Sequence, residues 1–353
     1  MRPSSTVTIL PIDDKEGITM LFDSSLVGLH APELTSDGPW INSPPLHMRD
    51  LRGRVVLIDF WTYSCVNCLR TLPYVKSWHE KYAGKGLTII GVHTPEFGFE
   101  KDSRNVERFV AENSIRYPVV LDNDYHIWNA YANHYWPRKL LIDANGIIRY
   151  DHAGEGAYAQ TEDAIQALLR AMHPGLPLPK VEETAEERRR GICFPTTPEL
   201  YCGYFRGRLG NTSGYVRDRV NEYTDPGAYR DGKIYLRGAW QAESELVRHT
   251  RTTAAPEDYV AVPYHAFEVN AVMQPTAGRP IRVYVTRDGA PIPVDAMGAD
   301  LVRSDGATYV EVSEPRMYNL IEDPHLGSHL LRLSTDAEGL EIYAFTFGGC
   351  ASA

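Results

Sequence analysis

Two cysteines, Cys65 and Cys68, stand three residues apart in the stretch LIDFWTYSCVNCLRTLP, residues 57–73. A pair with this spacing can be half of a metal site, a small structural disulfide or a redox-active dithiol. The pair lies where a predicted buried strand passes into a predicted helix, so Cys65 is expected at or just before the first helical turn. The unpaired backbone N–H groups and the helix dipole at that position favour a thiolate. Because thiolate is the attacking species in disulfide exchange, we expect Cys65 to attack a partner and Cys68 to resolve the mixed disulfide.

The rival interpretations of the cysteine pair meet specific objections. A tetrahedral zinc site usually takes its four ligands from two spaced pairs, and the first half of the chain contains no second C-x-x-C and no H-x-x-x-H. A structural disulfide across two residues closes too short a loop to stabilise the fold much. Thr62 has the T-x-x-C spacing of peroxiredoxins relative to Cys65, but the proline expected four residues before it is Ile58. We therefore expect dithiol exchange, with no metal and no cofactor besides the redox-active Cys65–Cys68 disulfide.

The composition of the chain limits its class. The chain has 353 residues, 43% of them hydrophobic, which is enough for two cores, so we expect two domains. The formal net charge of -10 argues against binding to nucleic acid. No apolar run approaches the roughly 18 residues of a membrane-spanning helix, and residues 1–5 are not followed by the apolar segment of a signal peptide. We expect either a cytosolic protein or a part of a longer one.

The first half of the sequence alternates strand and helix patterns. Short apolar runs predict buried strands, and apolar residues at helical spacing predict helices. The predicted strands are 55–60, 87–94 and 117–122, the predicted helices are 69–82, 105–113 and 162–172, and a hairpin around Asn145-Gly146 is predicted at 139–152. This order indicates a mixed α/β sheet with helices on both faces.

The second half contains almost no helix signal. Alternating apolar and polar residues between Gly, Pro and Asp-Gly turns predict strands at 235–240, 258–273, 279–289, 308–314, 316–322, 329–335 and 340–348. This pattern predicts a two-sheet jelly roll of about seven or eight strands.

The break between the halves is placed at residues 173–191, where prolines are followed by a charged run that predicts a short solvated helix. The predicted organisation is an N-terminal extension over 1–26, an α/β domain over 27–173, a linker over 174–191 and a jelly-roll domain over 192–353.

The residues around the cysteines resemble the thioredoxin superfamily. The run DFW at 59–61, then Cys65-x-x-Cys68 and Pro73, matches the thioredoxin pattern position by position. The resemblance implies a thioredoxin-like fold for the first domain and a buried Asp59 that moves the proton of Cys68. From the residues alone, a merely local hydrogen-bonding role for Asp59 stays open.

The same resemblance assigns two more residues to the site. Trp61 is expected to pack beside the cysteines. Pro137 is expected to be a cis-proline that faces the disulfide and leaves neighbouring backbone free to pair with a partner.

Departures from thioredoxin indicate a narrower group. The segments 27–34, 50–61 and 129–143 resemble the extracytoplasmic TlpA and ResA type of thiol reductase. The phrase FWTYSCVNC with RTLPYV resembles the soluble C-terminal region of DipZ-type proteins, and GSHLLRLST and EIYAFTFG resemble the closing strands of their galactose-binding-like module. The resemblance implies a carbohydrate-binding-like module, a CcdA-like membrane electron donor, and an extracytoplasmic protein whose membrane domain is absent from this chain.

Several aromatic residues are candidates for contacts with partners. Tyr63, Trp136 and Tyr135 are candidates to shape the groove beside the cysteines, with simple packing as the alternative. In the second domain the carbohydrate-binding candidates are Trp240, Tyr264, His265 and Tyr318, with a core role as the alternative.

The remaining polar candidates receive no role. His93, His126 and His134 show no metal-ligand spacing with the cysteines, and Glu96 and Glu100 are interpreted as loop charges. Among Cys193, Cys202 and Cys350 at least one thiol is expected to be free or intermolecular, and the sequence does not give their pairing.

The sequence therefore predicts a thiol-disulfide oxidoreductase that acts on protein thiols and disulfides, in extracytoplasmic disulfide reduction or cytochrome c maturation. The alternative is a cell-envelope glycan-binding or scaffold protein in which the thioredoxin-like domain is only a platform. A third hypothesis is a cytosolic redox protein. The dipeptide Val66-Asn67 does not fix the direction of exchange, and the oligomeric state, including a homo-oligomer, stays open.

Overall fold

The structure is a computed structural model that describes residues 26–181 and 193–350. These residues form two compact units, called here the N-terminal unit (26–181) and the C-terminal unit (193–350). Most of the predicted extension over 1–26 and the charged part of the predicted linker, with its solvated helix, lie outside the described residues. Residues 174–181 contain no helix or strand.

The N-terminal unit is built on a six-stranded sheet. Its strands are β1 (Trp40–Ile41), β2 (Val55–Trp61), β3 (Leu87–His93), β4 (Val119–Leu121), β5 (Arg138–Ile142) and β6 (Ile148–Ala153). They are arranged in the order β1-β4-β3-β2-β5-β6, in which β2, β3 and β4 are parallel and β1, β5 and β6 run antiparallel to their neighbours. The predicted mixed sheet and its closing hairpin are both present.

Helices cover both faces of this sheet, as predicted. They are α1 (Val66–Tyr82), α2 (Ser103–Glu112), α3 (His126–Ala130) and α4 (Tyr158–Met172). Alternate residues of β2 serve opposite cores, since side chains alternate across a strand. Val55 and Leu57 pack with α1, α2 and α4, whereas Ile58 and Phe60 pack with α3.

The starts of two predicted helices in this unit are wrong, and one helix was missed. The first helix begins at Val66 rather than 69, and the last at Tyr158 rather than 162. The five-residue α3 was not predicted at all. Its first N–H groups are bound by a side chain from the end of β4, since Ile127 N and Trp128 N both donate to the Asp122 carboxylate. The N-cap position itself is Tyr125, which provides no side-chain cap, so the usual start signal of a helix is absent.

The C-terminal unit is all β, apart from one short 3-10 turn at Val294–Ala296. Its strands are β7 (Leu200–Tyr201), β8 (Val220–Tyr223), β9 (Tyr235–Ala242), β10 (Val247–His249), β11 (Asp258–Pro275), β12 (Ile281–Arg287), β13 (Ala290–Pro291), β14 (Val302–Ser304), β15 (Ala307–Val312), β16 (Arg316–Thr335) and β17 (Leu340–Gly348). All of them join one hydrogen-bonded network, in which the long strand β11 pairs with β16, β17 and β9. The all-β class is therefore present, while the two-sheet jelly roll stays a prediction.

The strand count in this unit differs from the prediction. The described residues contain eleven strands rather than seven or eight, because strands of two to four residues are too short to show alternation. The predicted strands 316–322 and 329–335 form the single strand β16. The Asp-Pro and Gly residues that indicated a break lie where the register of β16 against β11 shifts, between the pairs Glu322–Glu268 and Gly327–Ala266.

Candidate active site

Cys65 and Cys68 lie where the sequence placed them. Cys65 is the last non-helical residue before α1, with φ −82° and ψ 116°, and its thiol is half-buried. Cys68 is one turn into the helix and 4% exposed. Both thiols are free, and the Cys68 thiol is hydrogen-bonded to Cys65. Burial, and then this hydrogen bond, raise the pKa of Cys68 well above its usual value. The accessible thiol of the pair is thus Cys65, and Cys68 is a protected neighbour.

Asp59 is the buried carboxyl behind Cys68. It lies near the end of β2, opposite Gly91 of β3 and Lys139 of β5, and it is 4% exposed. Burial raises the pKa of Asp59 to about 7, against the opposing field of Lys139. Its Oδ1 atom is buried and makes no hydrogen bond with the described residues. A carboxyl that changes protonation near neutral pH, with a free oxygen, fits proton transfer better than local hydrogen bonding.

Lys139 is the residue of this cluster that the sequence interpretation missed. Its side chain is fully buried, and its Nζ donates to the carbonyl of Gly154 at 3.1 Å. Burial lowers the pKa of Lys139 to about 8, while Asp59, Cys68 and Glu155 oppose that shift. The available signal was a lysine that opens the apolar run KLLID, whereas its position opposite Asp59 follows from the register of β5 against β2.

Trp61 and Tyr63 pack beside the cysteines rather than line an open groove. Both are 3% exposed. The Trp61 ring lies edge-on to His93, with the centroids 5.1 Å apart, and the Tyr63 ring is stacked on His93 and on Phe109, each at 5.7 Å. The prediction for Trp61 agrees with this packing, and for Tyr63 the packing alternative is the one observed.

The segment before β5 does reach the surface. Tyr135 is 58% exposed, Trp136 is half-buried, and the Trp136–Pro137 peptide bond is cis. Trp136 Nε1 donates to the carbonyl of Thr94 at 3.0 Å, and Thr94 N donates to the carbonyl of Trp61 at 3.1 Å. These two bonds tie the segment to the end of β2. The contact of Pro137 with a partner stays a prediction.

Glu100 is not the exposed loop charge that the sequence indicated. Its side chain is fully buried, and Ser64 Oγ donates to its Oε1 at 2.6 Å. Its Oε2 accepts from the backbone N–H groups of Glu96 and Phe97. Ser64 directly precedes Cys65, so this carboxyl is connected to the loop that carries the attacking thiol.

The carbohydrate candidates of the C-terminal unit are mostly core residues. Trp240 and Tyr318 are 0% exposed and Tyr264 is 3% exposed, so their rings offer no face to a sugar. His265 is partly exposed and hydrogen-bonded to Ser328. The core alternative is therefore correct for the three buried aromatics, because alternation along a sheet with a packed face turns them inward.

A polar cleft occurs elsewhere in the C-terminal unit. It has a volume of about 590 Å³ and is lined by residues that include Asp225, Tyr229, Arg237, Arg251, Tyr259 and Arg332. The guanidinium groups of Arg237 and Arg332 lie 5.6 and 4.9 Å from the centre of the Tyr259 ring. No sequence signal pointed to this cleft, whose residues come from several strands and a loop.

The three other cysteines divide into a disulfide and a buried thiol. Cys193 is bonded to Cys350, and Cys202 is a free thiol with no exposed surface. Burial raises the pKa of Cys202. Within the described residues, no group of three or more His, Cys, Asp or Glu side chains is placed to hold a metal ion. Over the same residues, no helix has the length and apolar character to cross a membrane.

Comparison with known proteins matches both units. The Redoxin family model matches residues 27–169, and the family "Thioredoxin like C-terminal domain" matches residues 197–348. Protein DipZ of Mycobacterium tuberculosis is 34% identical over 334 residues, which cover 90% of this chain and 43% of DipZ. The chain thus spans less than half the length of that relative.

Two further similarities concern the N-terminal unit. Thiol-disulfide oxidoreductase YkuV of Bacillus subtilis is 28% identical over 138 residues, covering 39% of this chain and 93% of YkuV. The solution structure of a thioredoxin-like protein in the oxidised form is 28% identical, covers 42% of this chain and 99% of that one, and has a TM-score of 0.39.

The Redoxin match and the alignment with DipZ confirm the thioredoxin-like assignment of the N-terminal unit and the similarity to DipZ over nearly the whole chain. The chain carries a Redoxin region followed by a region of the family "Thioredoxin like C-terminal domain", and it is a homologue of DipZ over 90% of its length.

Proposed function

We propose that the protein is a thiol-disulfide oxidoreductase, that Cys65 and Cys68 are its redox pair, and that this pair acts on disulfides of other proteins. The Cys65 thiolate attacks one sulfur of a partner disulfide, that bond breaks, and the partner's other sulfur leaves as a thiolate and takes a proton. Cys68 then gives its proton to the Asp59 carboxylate and attacks the Cys65 sulfur, which releases the partner's second thiolate. The second thiolate then takes up the proton held by Asp59, so the partner gains two electrons and two protons, and the protein is left with a Cys65–Cys68 disulfide and an ionised Asp59.

One observation supports this proposal above all others. A half-buried thiol stands at the N-terminus of α1, and a fully buried thiol hydrogen-bonded to it lies near a buried carboxyl of raised pKa. Exposure suits the first thiol to attack, and protection suits the second to react only with the mixed disulfide beside it. The carboxyl supplies the proton acceptor that the second step needs.

The test is insulin reduction by the full chain, with dithiothreitol as the source of electrons. Cys65→Ser should abolish activity. Cys68→Ser, reduced and then separated from dithiothreitol before insulin is added, should keep the first step and accumulate a mixed disulfide with the partner, which intact-protein mass spectrometry detects as an added insulin chain. Cys202→Ala is the matched control, since that thiol is buried in the C-terminal unit, and it should keep parental activity. Activity that survives Cys65→Ser would refute the assignment.

The location and the source of electrons are also proposals. We place the protein outside the cytoplasm, attached to a membrane domain, with a CcdA-like membrane dithiol carrier that re-reduces Cys65–Cys68. Similarity to DipZ over 90% of this chain but only 43% of DipZ supports a longer protein. Membrane-spanning segments encoded in the same gene would support this proposal, and their absence would favour a cytosolic redox protein.

A second candidate function, glycan binding by the C-terminal unit, has the cleft in its favour. Its exposed Arg237, its tyrosine rings and its carboxylates provide hydrogen bonds and a stacking face of the kind that sugars use. A glycan array with the full chain tests it. Arg237→Ala should remove glycan binding. Arg219 is an exposed arginine outside the cleft lining, so Arg219→Ala should leave the binding intact. An array without hits would leave the C-terminal unit as a scaffold, with the jelly roll still to be tested.

A further inference from the structure

A second buried carboxyl, Glu100, contacts the loop that carries Cys65. Glu100 belongs to the short 3-10 helix Gly98–Lys101 that follows β3, and its side chain has no exposed surface. A buried carboxylate is costly unless several donors satisfy it. Here the donors come from two segments, namely the active-site loop and Glu100's own loop.

The contacts to the active-site loop form a continuous chain. Ser64 Oγ donates to Glu100 Oε1 at 2.6 Å, and the Thr62 hydroxyl is also hydrogen-bonded to this carboxyl. Thr62 Oγ1 lies 3.3 Å from His93 Nε2. Burial lowers the pKa of His93 to about 3, so the His93 ring is neutral around pH 7.

These bonds hold the residues on the N-terminal side of Cys65. In α1, Cys65 has no side-chain cap, and its carbonyl accepts from Leu69 N at 3.0 Å. The helix therefore fixes Cys65 from one side, and the Glu100 contacts with Thr62 and Ser64 fix it from the other. Asp59 acts on Cys68 through a different part of the site.

We propose that Glu100 is a positioning residue for thiol-disulfide exchange: through Ser64 and Thr62 its carboxylate fixes the loop that presents Cys65, so that protonation of Glu100 loosens the loop and slows attack. This inference rests on the proposed role of Cys65. A Glu100 carboxylate can only accept hydrogen bonds. A protonated Glu100 carries an O–H that must donate one, so Ser64 or Thr62 would have to change from donor to acceptor in its contact with Glu100.

The surroundings of Glu100 place its protonation in a pH range in which the protein can be assayed. Burial raises the pKa of Glu100 to about 7, although the Ser64 and Thr62 hydrogen bonds oppose the shift. The other titratable or charged groups around it are Glu96 on its own loop, Tyr63 on the active-site loop, His93 at the end of β3, and Asp102 and Arg108 at α2, which act on Tyr63. Burial lowers the pKa of His93 and raises that of Tyr63, and hydrogen bonding to Arg104 lowers that of Asp102.

The test compares three variants of the full chain. Glu100→Gln keeps the size and one acceptor oxygen, but its amide imitates the protonated acid at every pH. We expect this variant to match the parent at pH 6 and to reduce insulin about tenfold more slowly at pH 8, because small displacements of a reacting group have effects of this order. Glu100→Ala and Ser64→Ala should be about tenfold slower at both pH values.

The second readout is the rate at which iodoacetamide alkylates Cys65 of the reduced protein between pH 5 and 9. In the parent, the alkylation rate should show a step in its pH dependence that arises from ionisation of Glu100. Asp59→Asn should keep this step, and Glu100→Gln should lose it. Glu112→Gln, an exposed glutamate on α2, is the matched control and should follow the parent. Ser64→Ala removes the contact without touching a buried charge, so it keeps the test valid where Glu100→Ala fails to fold.

The outcomes separate this inference from the proposed function. Profiles of Glu100→Gln and Ser64→Ala that superimpose on the parent, with Cys65→Ser inactive, would overturn the role of Glu100 alone. Insulin reduction that persists in Cys65→Ser would overturn the proposed function instead.

Discussion

At the scale of single residues, the N-terminal unit carries a carboxyl whose ionisation the fold opposes. Asp59 is buried beside Cys68, and the opposite charge that acts on it among the described residues is that of Lys139, which is buried as well. A stable fold gains nothing from such an arrangement, since burial of a charge costs more than a distant partner returns. Buried ionisable groups with strongly shifted pKa values are concentrated at functional sites.

The first prediction is that Asp59→Asn stabilises the protein near neutral pH. The folded state binds the proton of Asp59 more tightly than the unfolded chain, so this group's contribution to stability is complete below pH 3.8 and is lost as the pH rises through about 7. A rise of the pKa from 3.8 to about 7 corresponds to about 4 kcal/mol at about 1.36 kcal/mol per unit, as an upper limit. The free energy of unfolding, from urea titrations between pH 4 and 7.5, should therefore fall with pH in the parent relative to the variant.

The same substitution should slow insulin reduction at pH 7 by about 10²-fold, because Cys68 loses its proton acceptor. Asp37→Asn, at an exposed position, is the control and should change neither the free energy of unfolding nor the rate of insulin reduction. Equal stability of parent and Asp59→Asn across the pH range would show that Asp59 is ionised in the fold at little cost.

The second prediction concerns Lys139. Its positive charge favours the ionised form of Asp59, so Lys139→Met should raise the pKa of Asp59 further. The rising limb of the pH profile of insulin reduction should therefore move to higher pH. Lys180→Met, at an exposed lysine, should leave the profile in place. A shift to lower pH, or none, would contradict the electrostatic link between Lys139 and Asp59.

Residue by residue, the sequence predicted where Cys65, Cys68 and Asp59 lie, because these positions depend on local spacing, while their roles in exchange stay predictions. Cys65, Cys68 and Asp59 all lie in one strand-to-helix segment. Lys139 and Glu100 reach the site from β5 and from the loop after β3, and only the sheet register and the loop path bring them there. One sequence without those pairings gave no reason to separate Glu100 from an ordinary surface charge.

At the scale of elements, the close contact of β2 and β3 depends on a glycine. Gly91 pairs with Asp59 across the parallel ladder, and a Cβ added at this position would lie 2.8 Å from Trp61 Nε1 and 3.1 Å from Tyr117 Cε2. Both rings are buried, so neither can move without disturbing the core that β2 shares with α1. The missing side chain at Gly91 thus gives Trp61 its place beside the site.

The third prediction is that Gly91→Ala destabilises the N-terminal unit by about 1–3 kcal/mol, the usual cost of overpacking. The urea concentration at which insulin reduction is lost reports on this unit and should decrease. Gly84→Ala is the matched control, because a Cβ there meets no atom within 4 Å. It should stay within about 0.5 kcal/mol of the parent. Parental stability of Gly91→Ala would mean that Trp61 can shift freely.

Element types were easier to predict than element ends. The apolar runs of β2, β3 and β4 and the Asn-Gly hairpin between β5 and β6 are local signals, and all were found. The start of α1 at Val66 was missed because the apolar spacing begins only at Leu69, although the backbone is already helical. In the C-terminal unit short strands exist because longer neighbours supply their hydrogen bonds, as β17 does for β7 and β10 and β12 does for β13.

At the scale of the whole molecule, the ends of the C-terminal unit are joined covalently. The Cys193–Cys350 disulfide closes a loop with a sequence separation of 157, and Phe194 N donates to the carbonyl of Gly349 beside it at 2.8 Å. The sequence left this pairing open among three cysteines. The structure leaves Cys202 as the odd thiol, enclosed in the core under β17.

The fourth prediction is that the double variant Cys193→Ser/Cys350→Ser loses stability in the C-terminal unit and not in the N-terminal unit. The chain-entropy model gives an upper limit of about 5 kcal/mol for so long a loop. Hydrogen exchange of peptides from β17 and β7 should become faster, while the urea concentration at which insulin reduction is lost should stay unchanged. Dithiothreitol provides the internal control, because it should accelerate exchange of these peptides in the parent and have no effect in the double variant. Slow exchange in β17 without the disulfide would show that the strand pairings alone hold the end of the chain, and that the bond is dispensable for the fold.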